Sequence, residues 1–360
     1  MRPAAFLALL LTVRALAQQH TLLLWPNGNP EPSKVVGPEI DPTTDANRIV
    51  SGKLTIRVTN VSKPSLAVYS PDPAKNSGAA ALVFPGGSYI RLSYNLEGTE
   101  VCDWLNSLGM TCVLVKYRVP EEGHYPENVE DLEDAQQAMR LTRTHASEWH
   151  IDPNRIGVIG FSAGAHLAAV LSTHPDFQGK NVPASTVEAR PDFQMIIYPG
   201  WLSGPDGKVN PSLQPTPQTP PTFLLQAEND YTAHVENALI YFQALKDARI
   251  PAELHLFTQG GHGFGLVRRS CLSRVGPPWP KRGCIRYTSL GRRVQWGVRD
   301  QGGDGWREVR VCQMSRRVVA RVNRTGPRTI PMGPKTAMPP RMESRMVAVW
   351  ARMWEPTRIG

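Results

Sequence analysis

The chain has 360 residues, 41% of them hydrophobic, and carries five cysteines and a formal net charge of +9. That length can bury a proper core as one large domain or two smaller ones. The charge does not mark the whole chain as a polyanion binder, because residues 1–266 hold 19 Lys+Arg against 26 Asp+Glu while residues 267–360 hold 21 against 5.

In chain order, the first segment is MRPAAFLALLLTVRALAQQ. Arg2 precedes an apolar run over residues 4–13 that is too short to span a bilayer, and Ala15-Leu16-Ala17 forms a small-residue cleavage pattern. A signal peptide over residues 1–17 and an exported protein are therefore expected. Residues 18–78 form an N-terminal segment, of which residues 26–78 are rich in Pro, Gly, Asn and Ser. Two strand-like stretches there, residues 54–58 and 65–69, read as a hairpin leading into the main sheet. Over residues 79–266, strands near Ala80, Thr111, Ile156, Phe193, Thr222 and Ala252 alternate with helical stretches. This is the pattern of an α/β fold with a mostly parallel sheet and helices on both faces. Cys102 falls in a helix and Cys112 in a buried strand, and each reads as a small core residue that needs no bond.

The chemistry concentrates in GFSAGAH, residues 160–166. The apolar run before it reads as a strand, and Leu167, Val170 and Leu171 after it lie at helical spacing. Strand, sharp turn and helix are what a nucleophile elbow needs: Ser162 is exposed at a strained turn and glycines let strand and helix approach closely. The helix N-terminus adds N–H groups beside the place where an oxyanion would form. A nucleophilic serine needs a base, and the base needs an orienting carboxylate, each just beyond a later strand in this arrangement. Asp230 follows a strand over Thr222–Ala227, and His262 lies in a glycine-rich loop after a strand over Ala252–Phe257. The early strand Ala80–Phe84 ends in Pro85-Gly86-Gly87-Ser88-Tyr89, placed where a loop would supply oxyanion N–H groups.

Rivals exist for the base and the acid. His166 sits in the helix after the serine and suits packing, while His145, His150 and His174 read as surface residues upstream of the acid. Glu228 is the serious substitute for Asp230, Asp206 is a more distant one, and Asp192 opens a strand where the acid should close one. The segment over residues 200–221 is short and proline-rich, which predicts an open site without a large lid. Trp201 within it suits either stacking on a sugar or aromatic acyl group or packing within the loop. No phosphate loop, metal motif or cofactor fingerprint occurs, so cofactor-free chemistry is expected.

The stretches FPGGSY, WHIDPNRIGVIGFSAGAHLA, RPDFQMIIYPG, TPPTFLLQAENDYTAHVENALIYFQAL and PAELHLFTQGGHGFG resemble an α/β-hydrolase of the acetyl esterase/lipase group. They are similar to bacterial xylan-associated feruloyl and acetyl-xylan esterases. The resemblance implies Ser162, Asp230 and His262 as a triad and Gly87, Ser88 and Ala163 as oxyanion donors. Ser88 stands where relatives commonly have a third glycine. The implied substrate is a small-molecule or polysaccharide ester, with neither nucleic acid nor a stable membrane anchor as partner. A serine peptidase on the same fold, or a non-catalytic protein with a basic binding tail, are the alternatives.

The resemblance stops after Leu266. Residues 267–360 lack helical or strand periodicity and hold five of the nine tryptophans and three of the five cysteines, Cys271, Cys284 and Cys312, which show no metal-ligand spacing. Two readings stand: a basic arm for nucleic acid or membrane surfaces, or, favoured by the abrupt change in composition, a disordered segment translated out of frame.

Overall fold

The computed structural model describes residues 19–31, 34–35, 37–44, 49–50, 53–121 and 123–266, and the backbone of 289–290, 293–294, 296–299 and 306–309. Eight strands form the central sheet: β1 (Gln19–Leu23), β2 (Ser65–Tyr69), β3 (Ala80–Phe84), β4 (Thr111–Lys116), β5 (Ile156–Phe161), β6 (Gln194–Ile197), β7 (Thr222–Ala227) and β8 (Ala252–Phe257). Their order is β1-β2-β4-β3-β5-β6-β7-β8. Only the β1–β2 and β2–β4 pairs are antiparallel.

The strands read as near-continuous apolar runs because both faces of a parallel sheet are covered. Ala80, Leu82 and Phe84 point to one face with Val158, Ile196 and Leu224. Ala81 and Val83 point to the other with Ile159, Ile197 and Leu225. On the first face lie α2 (Glu130–Thr144), α3 (Ala163–Thr173) and α4 (Glu236–Asp247), and on the second lies α1 (Glu100–Ser107). The expected α/β fold is thus observed. No described helix is long and apolar enough to cross a membrane.

Two expectations are corrected. The anticipated hairpin between residues 54–58 and 65–69 does not form. Strand β2 has four of its five residues buried and takes two sheet partners, β1 and β4, which leaves it no free edge. Residues 54–58 break up instead: Lys53–Leu54 pairs with Ile49–Val50, and Arg57–Val58 pairs with Leu92–Ser93. The second correction concerns Cys102 and Cys112, which form a disulfide. Helix α1 folds straight back over β4 through a short turn, and this brings the two Cα atoms to 5.0 Å, within the span of such a bond.

The expectations for residues 1–17 and for most of 267–360 fall outside the described residues. Within the separate unit Ser270–Gly333, Ser289–Leu290 pairs antiparallel with Arg293–Val294, and Trp296–Arg299 with Trp306–Val309.

Candidate active site

Strand β5 ends at Phe161 and α3 begins at Ala163, so Ser162 is the whole turn, with φ 53° and ψ −116°. A non-glycine residue held there stores strain of about 1–3 kcal/mol, maintained by the packing around it. Gly160 and Gly164 make that packing possible. A Cβ on Gly160 would meet the Gly164 carbonyl oxygen at 2.1 Å, and one on Gly164 would meet the Phe84 carbonyl oxygen at 2.0 Å.

The Ser162 Oγ lies 2.8 Å from His262 Nε2, and His262 Nδ1 lies 2.7 Å from Asp230 Oδ2. A carboxylate only accepts, so Nδ1 carries the proton and Nε2 is left to accept from the serine hydroxyl. Asp230 is 1% exposed, and its other oxygen accepts the N–H groups of Thr232 and Ala233, both at 2.9 Å. These bonds lock the carboxylate toward the imidazole. The constellation can therefore draw a proton from the serine hydroxyl and hold the resulting imidazolium.

Among the rivals, Glu228 is exposed, Asp206 caps the turn at Lys208, and Asp192 accepts the Ile156 N–H and pairs with Arg143. His145 pairs with Glu148, and His174 sits beside Thr173 at the end of α3. His166 is fully buried and shares a 2.8 Å hydrogen bond with the Tyr89 hydroxyl. Burial and the neighbouring His124 hold its pKa well below the usual imidazole value. It packs in a cluster with Tyr89, His124 and Trp201. Trp201 serves that packing and still keeps 38% of its surface exposed.

Gly87 and Ser88 line a cleft of about 170 Å³ together with Ser162 and His262. Gly87 adopts φ 141° and Ser88 φ 59°. A Cβ on Gly87 would fall 1.9 Å from the Arg91 carbonyl oxygen, so only glycine fits. Ser88 takes a left-handed conformation that glycine would adopt at no cost. Among the described residues, the N–H groups of Gly87 and Ser88 meet no acceptor, and that of Ala163 is the first of α3. Three donors therefore stand free around the serine.

Sequence reasoning missed the residues that tie these loops together. Glu97, 4% exposed, accepts the Gly86 N–H on Oε2 at 2.8 Å and the Tyr198 hydroxyl on Oε1 at 2.8 Å. The Tyr198 oxygen in turn accepts the Gly265 N–H at 3.1 Å. The glycine loop after β3 and the histidine loop after β8 are thus joined through two buried side chains. Asn229 adds a second tether, its Oδ1 accepting the Gly260 and Gly261 N–H groups at 2.9 Å each. An acidic residue in the segment after the glycine loop was the only available signal for Glu97. The loop over residues 200–221 holds a bridge between Ser203 and Val209 and a single 3-10 turn, Pro211–Leu213.

The BD-FAE family matches residues 66–197. The acetyl ester-xyloside bifunctional hydrolase from Caldicellulosiruptor lactoaceticus shares 33% identity and a TM-score of 0.54, over 70% of this chain and 90% of that one. The chain belongs to the α/β-hydrolase esterases. Within them it resembles the xylan esterases. It is 30% identical over 279 residues to an acetylxylan esterase of Xylanibacter ruminicola, covering 68% of this chain and 55% of that protein. It is also 30% identical over 206 residues to endo-1,4-beta-xylanase B of Butyrivibrio fibrisolvens, covering 52% of this chain and 32% of that protein. This α/β-hydrolase chain thus spans about half the length of that acetylxylan esterase and a third of that xylanase.

Proposed function

We propose that the protein is a serine carboxylester hydrolase that works through an acyl-enzyme. The observation that carries this reading is the hydrogen-bonded chain from Ser162 through His262 to Asp230, beside three unengaged N–H donors. As Ser162 Oγ attacks the ester carbonyl, His262 Nε2 takes its proton and Asp230 holds the imidazolium. The N–H groups of Gly87, Ser88 and Ala163 receive the charge that builds on the carbonyl oxygen. His262 then gives its proton to the departing alkoxide, and water repeats the sequence on the acyl group. Ser162→Ala, folded as judged by circular dichroism, is expected to release no p-nitrophenol from p-nitrophenyl acetate. Turnover equal to the parent protein would eliminate the mechanism.

The substrate we propose is a short-chain, acetyl or feruloyl ester, in the plant-polysaccharide setting named for the relatives. The absence of an α-helix from the described loop over residues 200–221, and the exposed face of Trp201, support a site open to a saccharide. Comparing acetylated xylan, methyl ferulate, long-chain esters and an aminoacyl anilide tests this, and preference for long-chain esters or the anilide refutes it. Export is part of the same reading, supported by the sequence of residues 1–17 and by the Cys102–Cys112 disulfide, which suits an oxidising compartment. For residues 267–360 we propose translation out of frame. Translating the other two frames of the coding DNA beyond Leu266 is expected to reveal an amphipathic helix, and its absence from both refutes the idea.

A further inference from the structure

One wall of the catalytic cleft is a two-stranded ribbon outside the main sheet, formed by Arg57–Val58 and Leu92–Ser93. Arg57 stands opposite Ser93, and Arg91 lies two residues before Ser93, so both arginines are on one face of the ribbon as diagonal neighbours. Val58 and Leu92, the alternate positions, pack into the core. Both guanidinium-bearing residues line the same cleft as Ser162 and His262.

Among the described residues, neither side chain forms an ion pair or a hydrogen bond. Two carboxylates act on Arg57 from nearby, Asp41 and Glu97, but Glu97 already holds the Gly86 N–H and the Tyr198 hydroxyl. Burial and the like charge of Arg91 outweigh both, and the Arg57 pKa is lowered. A pair of like charges held as close neighbours on a small ribbon costs stability. In the cleft of a hydrolase such a pair has a use when an anion arrives, since guanidinium groups bind carboxylates through paired, charge-assisted hydrogen bonds.

We propose that Arg57 and Arg91 form an anion-recognition wall, and that the esters this site prefers carry a carboxylate on the acyl or the alcohol part. The inference rests on the esterase reading and narrows its substrate class to acidic esters, such as those of uronate-bearing saccharides. The carboxylate occupies the wall while the scissile carbonyl sits at Ser162.

The test compares matched anionic and neutral esters that differ in one methyl group, each rate divided by the uncatalysed rate of the same ester. For the acyl arm the pair is p-nitrophenyl hydrogen adipate and p-nitrophenyl methyl adipate, and for the alcohol arm 4-acetoxybenzoate and its methyl ester. The anionic-to-neutral ratio of kcat/KM is expected to reach about tenfold or more in at least one arm at low ionic strength, the advantage of one charged hydrogen bond. Salt in the molar range should erode it. Reading the ratio within each variant cancels any general loss from altered folding. It should fall toward one in Arg57→Gln/Arg91→Gln, and part-way in Arg91→Gln, whose side chain is exposed. Arg57→Lys, which keeps the charge and loses the fork, should retain part of it. A ratio near one in both arms of the parent protein, or a ratio untouched by the double substitution, overturns the inference while leaving the esterase reading intact. A folded parent protein that turns over neither member of either pair but hydrolyses p-nitrophenyl acetate overturns this inference alone, and one that also fails on p-nitrophenyl acetate refutes the esterase reading with it.

Discussion

Replacing Tyr198 by Phe tests whether the two loops of the site are held by one buried network. The substitution keeps the ring, which packs at 4.5 Å from Phe264 and 5.1 Å from His262, and removes only the hydroxyl. Glu97 Oε1 then loses this donor and the Gly265 N–H loses its acceptor, both in buried residues. A lost hydrogen bond to a charged group plus an orphaned buried N–H should together cost about 2–5 kcal/mol. For a folded unit of this size that corresponds to a fall in Tm of roughly 10 °C. Because Gly265 lies three residues beyond His262, a shift of that loop also reaches the rate. Misplacing a catalytic group by about 1 Å can cost on the order of 100-fold. Thermal unfolding by circular dichroism and kcat/KM on p-nitrophenyl acetate measure the two effects. A Tyr198→Phe variant that melts within about 1 °C of the parent and keeps its rate would show that the network does not hold the loops.

Asp230→Asn should lower the rate on the order of 10⁴-fold with the fold retained, while Glu228→Gln should leave it within a few-fold; the reverse ranking would move the acid to Glu228. Cys102→Ala/Cys112→Ala opens a loop closed across a sequence separation of 10, and should cost about 3 kcal/mol by urea unfolding. No change in the urea midpoint would refute that. His166 is held neutral in the folded state and gains a proton once unfolded, so its contribution is complete above the usual imidazole pKa and is lost as pH falls below it. The stability difference between the parent and His166→Gln should therefore move against the parent from pH 7 to pH 5, by up to about 1.4 kcal/mol per unit. A difference independent of pH would contradict the buried neutral imidazole.

The sequence alone determined the features that depend on neighbours along the chain. Strand, turn and helix around Ser162 are legible because their signals are local: an apolar run, glycines at the two positions where a Cβ would collide with backbone, and helical periodicity after them. Chain order then pointed to His262 and to the end of the strand before Asp230, where Glu228 stayed a rival until the structure placed Asp230 against the imidazole and Glu228 at the surface. What only the tertiary structure decided is set by residues far apart in sequence. Glu97 and Tyr198, 101 residues apart, carry no pattern that links them. The partners of β2, the bond between Cys102 and Cys112, and the shared face of Arg57 and Arg91 all follow from strand pairing and helix placement. Which edge finds which partner is chosen by the burial of whole faces at once, a global balance that no short window of residues records.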